Sequence, residues 1–158
     1  SNYLGADNEL AFANSRSRLR MMMLYQIAQS NNGLVVGTGN KCEDFGVGFY
    51  TKYGDGGVDI SPIADLYKSE VYHIAEHLDI IEKIMDAPPT DGLWEDGRTD
   101  EQQLGYTYDD LEKAMKADIS GEIVEDPHLI NVIEKFRTLR SKNKHKMNMP
   151  PVCNMEKL

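Results

Sequence analysis

Long apolar runs, paired cysteines and an excess of positive charge are all missing from the sequence, and each absence excludes a class of protein. No apolar stretch approaches the roughly 20 residues that a helix needs to cross a bilayer, so no membrane-spanning segment is expected. No secretory leader is visible, although the sequence opens at Ser1 rather than a methionine. Cys42 and Cys153 lack metal-site spacing, and two isolated cysteines favour a reduced, cytoplasmic compartment. The net charge of −9 argues against a nucleic-acid-binding protein.

The charges are unevenly distributed along the 158 residues. Acidic side chains dominate residues 79–126, whereas every charged side chain in residues 135–146 is basic. Arg16, Arg18 and Arg20 form a second basic cluster. Basic clusters on an acidic protein suggest local anion sites, such as sites for phosphates. Solvated helix faces would give the same pattern.

A long first helix is predicted over residues 9–30. Leu19, Met22, Met23 and Ile27 form one apolar stripe at helical spacing, and a second apolar stripe follows another side of the helix. A helix that is apolar on two sides has to be buried twice. We expect one side to face the protein's own core and the other a second subunit, which predicts a homodimer built around this helix.

The rest of the pattern alternates short strands with helices, which predicts an α/β fold with a parallel sheet. The apolar segments 34–38 and 58–60 read as buried strands. Residues 66–78 read as a helix with Leu66, Val71, Ile74, Ala75 and Leu78 facing inward. Two more helices are predicted over 108–117 and 127–143, a mobile loop over 86–103, and an irregular tail from Met147 to Leu158. Two strands are few for a sheet that averages ~5–6, so the chain looks like part of a domain whose other strands lie upstream or in another chain.

Thr38 and Glu43 follow the first predicted strand, at the edge where open α/β folds bind ligands. The Thr38 hydroxyl can contact a phosphate, and the Glu43 carboxylate can hold Mg²⁺ through oxygen. A helix cap at Thr38 and a surface acid at Glu43 would explain the same residues.

A glycine-rich segment comes next, in which Lys52 can neutralise phosphate and Asp55 and Asp59 can accept hydrogen bonds. A tight turn explains its glycines equally well, and Phe49 just before it is equally a core aromatic.

Three further segments contain side chains that could contact a ligand. Lys68 lies in the first turn of a predicted helix, where a cation is unfavourable unless an anion is present. Thr90 and Trp94 lie in the predicted mobile loop, which suggests a lid over a ligand, although Trp94 could simply anchor the loop. His145-Lys146 lies in the basic end, where a solvated surface is the plainer explanation.

Taken in order, these segments resemble the NAD synthetase family over roughly residues 10–151. The most specific piece is Lys52-Tyr53-Gly54-Asp55-Gly56-Gly57. The other matching pieces are Asn14-Ser15-Arg16-Ser17-Arg18-Leu19-Arg20-Met21, Gly37-Thr38 with Glu43, Pro62 with Lys68, Pro89-Thr90-Asp91-Gly92-Leu93-Trp94, Thr99-Asp100-Glu101, Leu104-Gly105-Tyr106-Thr107-Tyr108 and His145-Lys146.

The resemblance implies a Rossmann-like parallel-sheet domain of the adenine-nucleotide alpha-hydrolase or ATP-pyrophosphatase type. It implies that ATP, with Mg²⁺, activates deamido-NAD as an adenylate that ammonia then converts to NAD. Lys68, Glu43 and Asp55 would be catalytic, and Glu43 would also bind the metal. The ATP contacts would be Thr38, Lys68 and Thr90. The deamido-NAD contacts would be Arg18, Phe49, Lys52, Asp55, Asp59, His145 and Lys146.

Two departures from the family pattern stand out. The Ser-Gly-Gly-x-Asp-Ser loop that wraps the pyrophosphate of ATP is missing, together with its metal-binding aspartate. Gly39-Asn40-Lys41-Cys42 stands where many members have Asp-His-Ala-Ala. The alternative to the ligase is therefore a non-catalytic or split module that dimerises and binds dinucleotide. A related ATP pyrophosphatase acting on another acid is disfavoured by the Lys-Tyr-Gly-Asp-Gly-Gly run.

Overall fold

The computed structural model describes residues 8–94 and 96–154, and this part of the chain is mainly helical. Residues 155–158 of the predicted irregular tail lie outside the described residues. The helices in chain order are α1 Glu9–Ser30, a π-helix Lys41–Val47, α2 Lys68–His77, α3 Glu82–Met85, α4 Asp100–Leu104, α5 Tyr108–Ser120 and α6 Pro127–Met147.

Helix α1 has the predicted bounds because both of its ends are capped. The Asn8 side chain accepts a hydrogen bond from the backbone N–H of Ala11 at 3.0 Å, and the chain turns away after Asn31. The two apolar stripes differ in burial. Met21 and Tyr25 of the second stripe are half-buried. The first stripe is exposed, with Ile27 56% accessible, so within the described residues this side of the helix lacks a covering partner.

The two predicted strands pair in parallel, but only through an isolated bridge between Val36 and Ile60. Gly37 N donates to Ile60 O at 2.7 Å, and Asp59 N donates to Val35 O at 2.9 Å. The prediction that both faces of the first segment are buried is wrong for this chain, because Val36 is 54% exposed. Among the described residues this pair has no third strand beside it, so it lacks the hydrogen bonds and the burial of a sheet interior.

The hydrophobic core lies between α5, α6 and the π-helix. Leu111 of α5 and Val132 of α6 are almost completely buried, as are Cys42 and Val47 of the π-helix. The α-helical spacing of the apolar residues in α5 and α6 explains why these two helices were predicted, α6 being four residues longer than expected.

The π-helix was not predicted, and it positions the residues of the candidate site. Asn40 begins it, because its side-chain Oδ1 accepts hydrogen bonds from the N–H groups of Cys42 at 2.9 Å and Glu43 at 3.1 Å. Asn143 of α6 holds its far end by donating to Val47 O at 2.8 Å. Helical turns of this type recur at functional sites. The sequence analysis offered Thr38 as a helix cap, and this alternative is wrong, because the residue that caps the helix is Asn40.

Two other predictions need correction. Helix α2 forms, but Ile74 and Leu78 are 45% and 65% exposed instead of inward-facing, because α2 packs on the outside of the core, mainly against α5, and has no buried residue. The predicted loop 86–103 ends in α4, whose first turn Thr99 caps by accepting from Gln102 N at 3.3 Å.

In the described residues no helix combines the length and apolar character needed to cross a membrane.

Candidate active site

A cavity of about 420 Å³ lies where α1, the paired extended segments, the π-helix and the 89–100 loop meet. Five of the predicted site residues line this cavity. These are Thr38, Glu43, Phe49, Asp55 and Thr90. The carboxyl end of the first extended segment, as expected for an α/β fold, and the first residue of the second segment therefore face a ligand-sized space.

Glu43 lies at the centre of the polar contacts around this cavity. Its carboxylate pairs with the Lys68 ammonium at 3.1 Å, accepts a hydrogen bond from Asn40 Nδ2 at 2.7 Å, and accepts another from the Tyr108 hydroxyl. The side chain is only 14% accessible, so Glu43 is not a surface acid and the alternative explanation of this residue is wrong. Lys68 is the first residue of α2, and Glu43 is the anion that compensates a cation at that helix end.

Asp100 is a site residue that the predictions missed. It lines the cavity, is 8% exposed, and its Oδ2 accepts a hydrogen bond from the Tyr108 hydroxyl at 3.4 Å. Its Oδ1 is buried and, among the described residues, has no donor. Burial, together with the nearby negative charge of Glu43, raises the pKa of this carboxyl. Asp100 lies in the Thr99-Asp100-Glu101 run of the family resemblance, which was a usable signal.

Asp55 is fixed rigidly in the glycine-rich turn. Its Oδ1 accepts hydrogen bonds from the Ser17 hydroxyl at 2.8 Å and the Thr51 N–H at 2.9 Å. The Thr51 hydroxyl in turn donates to Asn14 of α1 at 2.7 Å. These bonds tie the turn to the first helix and leave the second carboxylate oxygen of Asp55 available to a ligand. The turn explanation and the binding explanation of this segment are thus compatible.

Asp59 lies outside the lining of this cavity. One carboxylate oxygen accepts from Val35 N at 2.8 Å and the other from the Tyr25 hydroxyl at 3.2 Å, which joins the two extended segments to α1. Burial and the Asp59 carboxylate raise the pKa of that tyrosine. Asp59 therefore has a structural task in this chain.

A second group of predicted residues meets outside the cavity, where α6 contacts the glycine-rich turn. Arg18 Nε donates to Lys52 O at 3.3 Å, and the Lys52 ammonium donates to His145 O. Lys146 donates to Tyr50 O at 2.7 Å, and burial lowers the pKa of this lysine. The His145 ring is exposed. The structure thus brings Arg18, Lys52, His145 and Lys146 together, separately from Glu43.

The predicted lid rests on α1 through arginine side chains. Arg20 donates to Gly92 O at 3.0 Å, and Arg16 donates to Leu93 O at 2.8 Å. Trp94 is half-buried, with the Arg98 guanidinium 4.2 Å from its ring centre. The two arginine contacts with α1 are hydrogen bonds to backbone carbonyls of the loop, so they can break without disturbing the packing of buried side chains.

We expect the lid to respond to ATP. Adding ATP and Mg²⁺ to the full-length protein should shift the Trp94 emission, because a nucleotide beside Thr90 changes the surroundings of the indole. The predicted lid, residues 86–103, buries too little apolar surface to offset an ordering cost of ~1–2 kcal/mol per residue unless a ligand adds contacts. The signal is the difference spectrum between the protein and its Trp94→Phe variant, and Thr90→Ala should weaken the shift. Emission that stays unchanged through saturation would show that this segment is not the lid.

Asp44 follows Glu43 and was also missed. Its side chain lines the cavity, and among the described residues it accepts no hydrogen bond. Burial, with the charges of Asp55 and Glu43, raises the pKa of this carboxyl to about 7. No sequence pattern marked it, because the pieces of the family resemblance include Glu43, the predicted metal carboxylate, but not the residue after it.

The donors around the cavity fit a magnesium ion. In the described residues no group of three or more carboxylate, imidazole or thiol side chains is close enough to form a metal site by itself. Glu43 and Asp100 nevertheless share the Tyr108 hydroxyl, and the buried Asp100 Oδ1 has no donor. Mg²⁺ takes few protein carboxylates and completes its shell with water and phosphate oxygens, so this oxygen-only set suits it.

The model of the NAD synthase family matches residues 1–150. The chain belongs to the NAD synthase family. Among its relatives, the NH(3)-dependent NAD(+) synthetase of Archaeoglobus fulgidus is 41% identical over 154 residues, covering 98% of this chain and 60% of the relative. The enzyme of the same name from Syntrophomonas wolfei is 45% identical over 149 residues, covering 94% and 56%.

Two solved structures superpose on most of this chain. The NMN synthetase of Francisella tularensis superposes with a TM-score of 0.80 at 34% identity, over 94% of this chain and 58% of that one. The NH3-dependent NAD synthetase of Campylobacter jejuni superposes with a TM-score of 0.71 at 28% identity, over 93% and 56%. The chain thus spans about three fifths of the length of its relatives, and family membership implies an α/β fold for the whole.

Proposed function

We propose that this chain is the part of an ammonia-dependent NAD synthetase that carries the metal carboxylate, the nucleotide lid and the deamido-NAD contacts. The reaction is the ATP-dependent amidation of deamido-NAD through an adenylate, releasing AMP and pyrophosphate. The observation that carries the proposal is the pair that Glu43, in the wall of the cavity, forms with Lys68, together with Asp100, which is linked to Glu43 through the Tyr108 hydroxyl. A carboxylate for a metal beside a lysine for phosphate is what phosphoryl chemistry requires.

The residues divide the work by position. Lys68 neutralises phosphate oxygens, and Thr38 and Thr90 contact ATP from two sides of the cavity. Phe49 stacks on the nicotinate ring, and Asp55 orients the reacting end from a turn that is held rigid. Glu43, supported by Asp100, would hold Mg²⁺, which supplies positive charge to the leaving pyrophosphate. The lid excludes water, which would hydrolyse the adenylate.

The second group of residues suits the remainder of the dinucleotide. Arg18, Lys52, His145 and Lys146 gather cationic and imidazole groups where α6 meets the glycine-rich turn. Asp59 contributes indirectly, by fixing the extended segments against α1. If the nicotinate ring lies at Phe49, the rest of the dinucleotide can extend to this group. Its phosphates are negatively charged and would be attracted by these cationic side chains.

The proposal extends to the protein that contains this chain. The paired segments 34–38 and 58–60 would be two strands of a Rossmann-like parallel sheet of the ATP-pyrophosphatase type. Residues 9–30 form the dimer helix, 34–78 the nucleotide-binding region, 86–103 the lid and 108–158 the C-terminal region. We place the enzyme in the cytoplasm, where ATP and deamido-NAD are found.

The decisive experiment uses the protein as its gene encodes it. Deamido-NAD, ATP, Mg²⁺ and an ammonium salt should give NAD, AMP and pyrophosphate in equal amounts. Nicotinate mononucleotide is the comparison substrate, because one structural relative is an NMN synthetase. Faster amidation of nicotinate mononucleotide than of deamido-NAD would show that the mononucleotide is the substrate. Dinucleotide binding without any pyrophosphate release would favour the non-catalytic module.

We expect the protein to be a homodimer through α1. Leu19, Met22 and Ile27 are each more than half exposed along one side of this helix, and burying them is worth about 25 cal/mol per Å². Analytical ultracentrifugation at micromolar concentration should therefore show a dimer. Met22→Glu should shift the equilibrium towards monomer, whereas Ser15→Glu on the same helix serves as the control. A clean monomer for the unmodified protein would contradict the prediction.

A further inference from the structure

Glu112 is a buried acid of α5 to which the proposed function gives no task. Its side chain is only 7% accessible. One carboxylate oxygen accepts a hydrogen bond from the Ser69 N–H at 2.8 Å, and the other accepts one from the Ser69 hydroxyl at 2.8 Å. The ammonium of the more exposed Lys116 lies 3.7 Å from the second oxygen. Because a buried carboxylate needs donors, both oxygens of Glu112 are directed at one residue of α2.

These hydrogen bonds cap the start of α2. Lys68 is the first residue of this helix and Ser69 the second, and the N–H groups of a first helical turn have no partner inside the helix. The side chain of Tyr67, which precedes the helix, makes no capping hydrogen bond. The acceptor therefore comes from another helix, 43 positions away in the chain. The negative charge of Glu112 also lies at the positive end of the α2 dipole.

Apolar burial contributes little to the position of α2. The helix has no buried residue and packs on the outside of the core, mainly against α5. Most helices in proteins are held by packing of an apolar face, and α2 lacks such packing in this chain. Hydrogen bonds to an ionised acceptor are stronger than neutral ones, so the Glu112–Ser69 contact is the strongest tie described between α2 and α5.

Glu112 and Tyr108 lie four residues apart and therefore on the same side of α5. The Lys68 ammonium lies 4.7 Å from the centre of the Tyr108 ring, and the hydroxyl of that tyrosine donates to Glu43. One side of α5 thus contacts two consecutive residues of α2. Tyr108 contacts the Lys68 side chain, and Glu112 holds the backbone of Ser69 directly after it.

We propose that Glu112 is a positioning residue for Lys68, because it fixes the first turn of α2 at the place from which the ammonium reaches the phosphates of ATP. This inference rests on the proposed function, which gives Lys68 its phosphate role. Glu112 is not among the described residues that line the main cavity, so it acts through the end of the helix. A misplacement of about 1 Å can cost roughly 100-fold in rate, so the anchoring of a charged group matters for catalysis.

The first test asks whether Glu112 acts through Lys68. In the full-length protein, Glu112→Ala should lower kcat/KM for ATP roughly 10-fold, the value of one hydrogen bond to a charged group. In the Lys68→Met background the same substitution should change kcat/KM for ATP by less than about twofold, since residues that act through one another are not additive. The KM values for deamido-NAD and ammonium should stay within about twofold in every variant.

Two milder variants make the test independent of a folding defect in Glu112→Ala. Glu112→Gln keeps an acceptor for the Ser69 N–H, so kcat/KM for ATP should stay within about threefold of the unmodified protein. Ser69→Ala removes only the hydroxyl of an exposed residue and should lower kcat/KM for ATP about threefold, with no further loss in the Lys68→Met background. Glu76→Ala removes an exposed carboxylate of the same helix and should change none of these quantities.

Two results would overturn the proposal. An unchanged kcat/KM for ATP in Glu112→Ala and Ser69→Ala, beside a large loss in Lys68→Met, would show that Lys68 is placed without Glu112. An equal loss in both backgrounds would assign Glu112 to the fold alone. If Glu112→Ala does not fold, Ser69→Ala decides by the same criteria. Failure of the proposed function is distinct, because the unmodified protein would then show no deamido-NAD-dependent pyrophosphate exchange, and the inference would fail with it.

Discussion

Replacing Glu43 by glutamine should reduce adenylate formation in the full-length protein roughly 100- to 1,000-fold, the usual effect of removing one electrostatic group that acts at a transition state. Glutamine keeps the volume and can still accept hydrogen bonds from Asn40 and Tyr108, whereas it loses the negative charge that pairs with Lys68 and that would hold Mg²⁺. Deamido-NAD-dependent pyrophosphate exchange into ATP, measured across a Mg²⁺ titration, reports this step directly.

The fold should survive this change. Losing one charge-assisted contact to Lys68 should lower the free energy of unfolding by at most about 3 kcal/mol, which denaturant titration can measure. Glu125→Gln removes an exposed carboxylate and provides the matched control, with activity and stability unchanged. Near-normal exchange by Glu43→Gln at saturating Mg²⁺ would disprove the metal role, since the charge would then be dispensable.

Replacing Lys68 by methionine should lower kcat/KM for ATP about 100-fold. The Lys68 ammonium lies 3.1 Å from Glu43 and 4.7 Å from the Tyr108 ring centre, at the first residue of α2. Methionine retains the apolar stem against Tyr108 and removes only the charge. Initial rates at varied ATP, with deamido-NAD and ammonium saturating, measure the effect.

Lys41→Met is the control for this variant. Lys41 is a lysine near the same end of α2, 4.8 Å from the Tyr67 ring centre, and its ammonium pairs with the exposed Asp65. It should leave kcat/KM for ATP within about twofold, since an exposed ion pair contributes little. If Lys68→Met behaves like Lys41→Met, then Lys68 serves only to balance Glu43 in the free protein.

Local sequence signals explain which elements were predictable. Asn8 and Asn31 delimit α1, and Asp126 with Pro127 starts α6, because a cap or a proline acts within one helical turn. The π-helix begins with a local cap, Asn40, but a single asparagine was not enough to predict it. Its seven residues from Lys41 carry no helical apolar stripe, and it is held by Asn143 of α6, about 100 positions away in the chain.

The candidate site shows the same division. Thr38, Glu43 and Lys68 could be named from their order after a strand, a loop and a helix start, because the family motif preserves those spacings. Asp44 could not be named from local pattern, since an acid in an acidic sequence is unremarkable until its burial is known. Asp100 was marked only by its place in the Thr99-Asp100-Glu101 run of the family resemblance. Burial of Asp100 depends on Tyr108 and Glu43, which meet it only after the chain has folded.

The sequence by itself determined the family and the bounds of the long first helix, and it predicted metal and phosphate roles for Glu43 and Lys68, because these depend on ordered motifs and short-range caps. Tertiary structure alone decided that Glu43 and Lys68 form a pair and that Arg18, Lys52 and His145 come together where α6 contacts the glycine-rich turn. It also decided that the Asp44 carboxylate fills the space above Gly39. These facts are distances between residues remote in the chain or on opposite sides of a helical turn, and they are set by the packing of the helices around the cavity rather than by local preference.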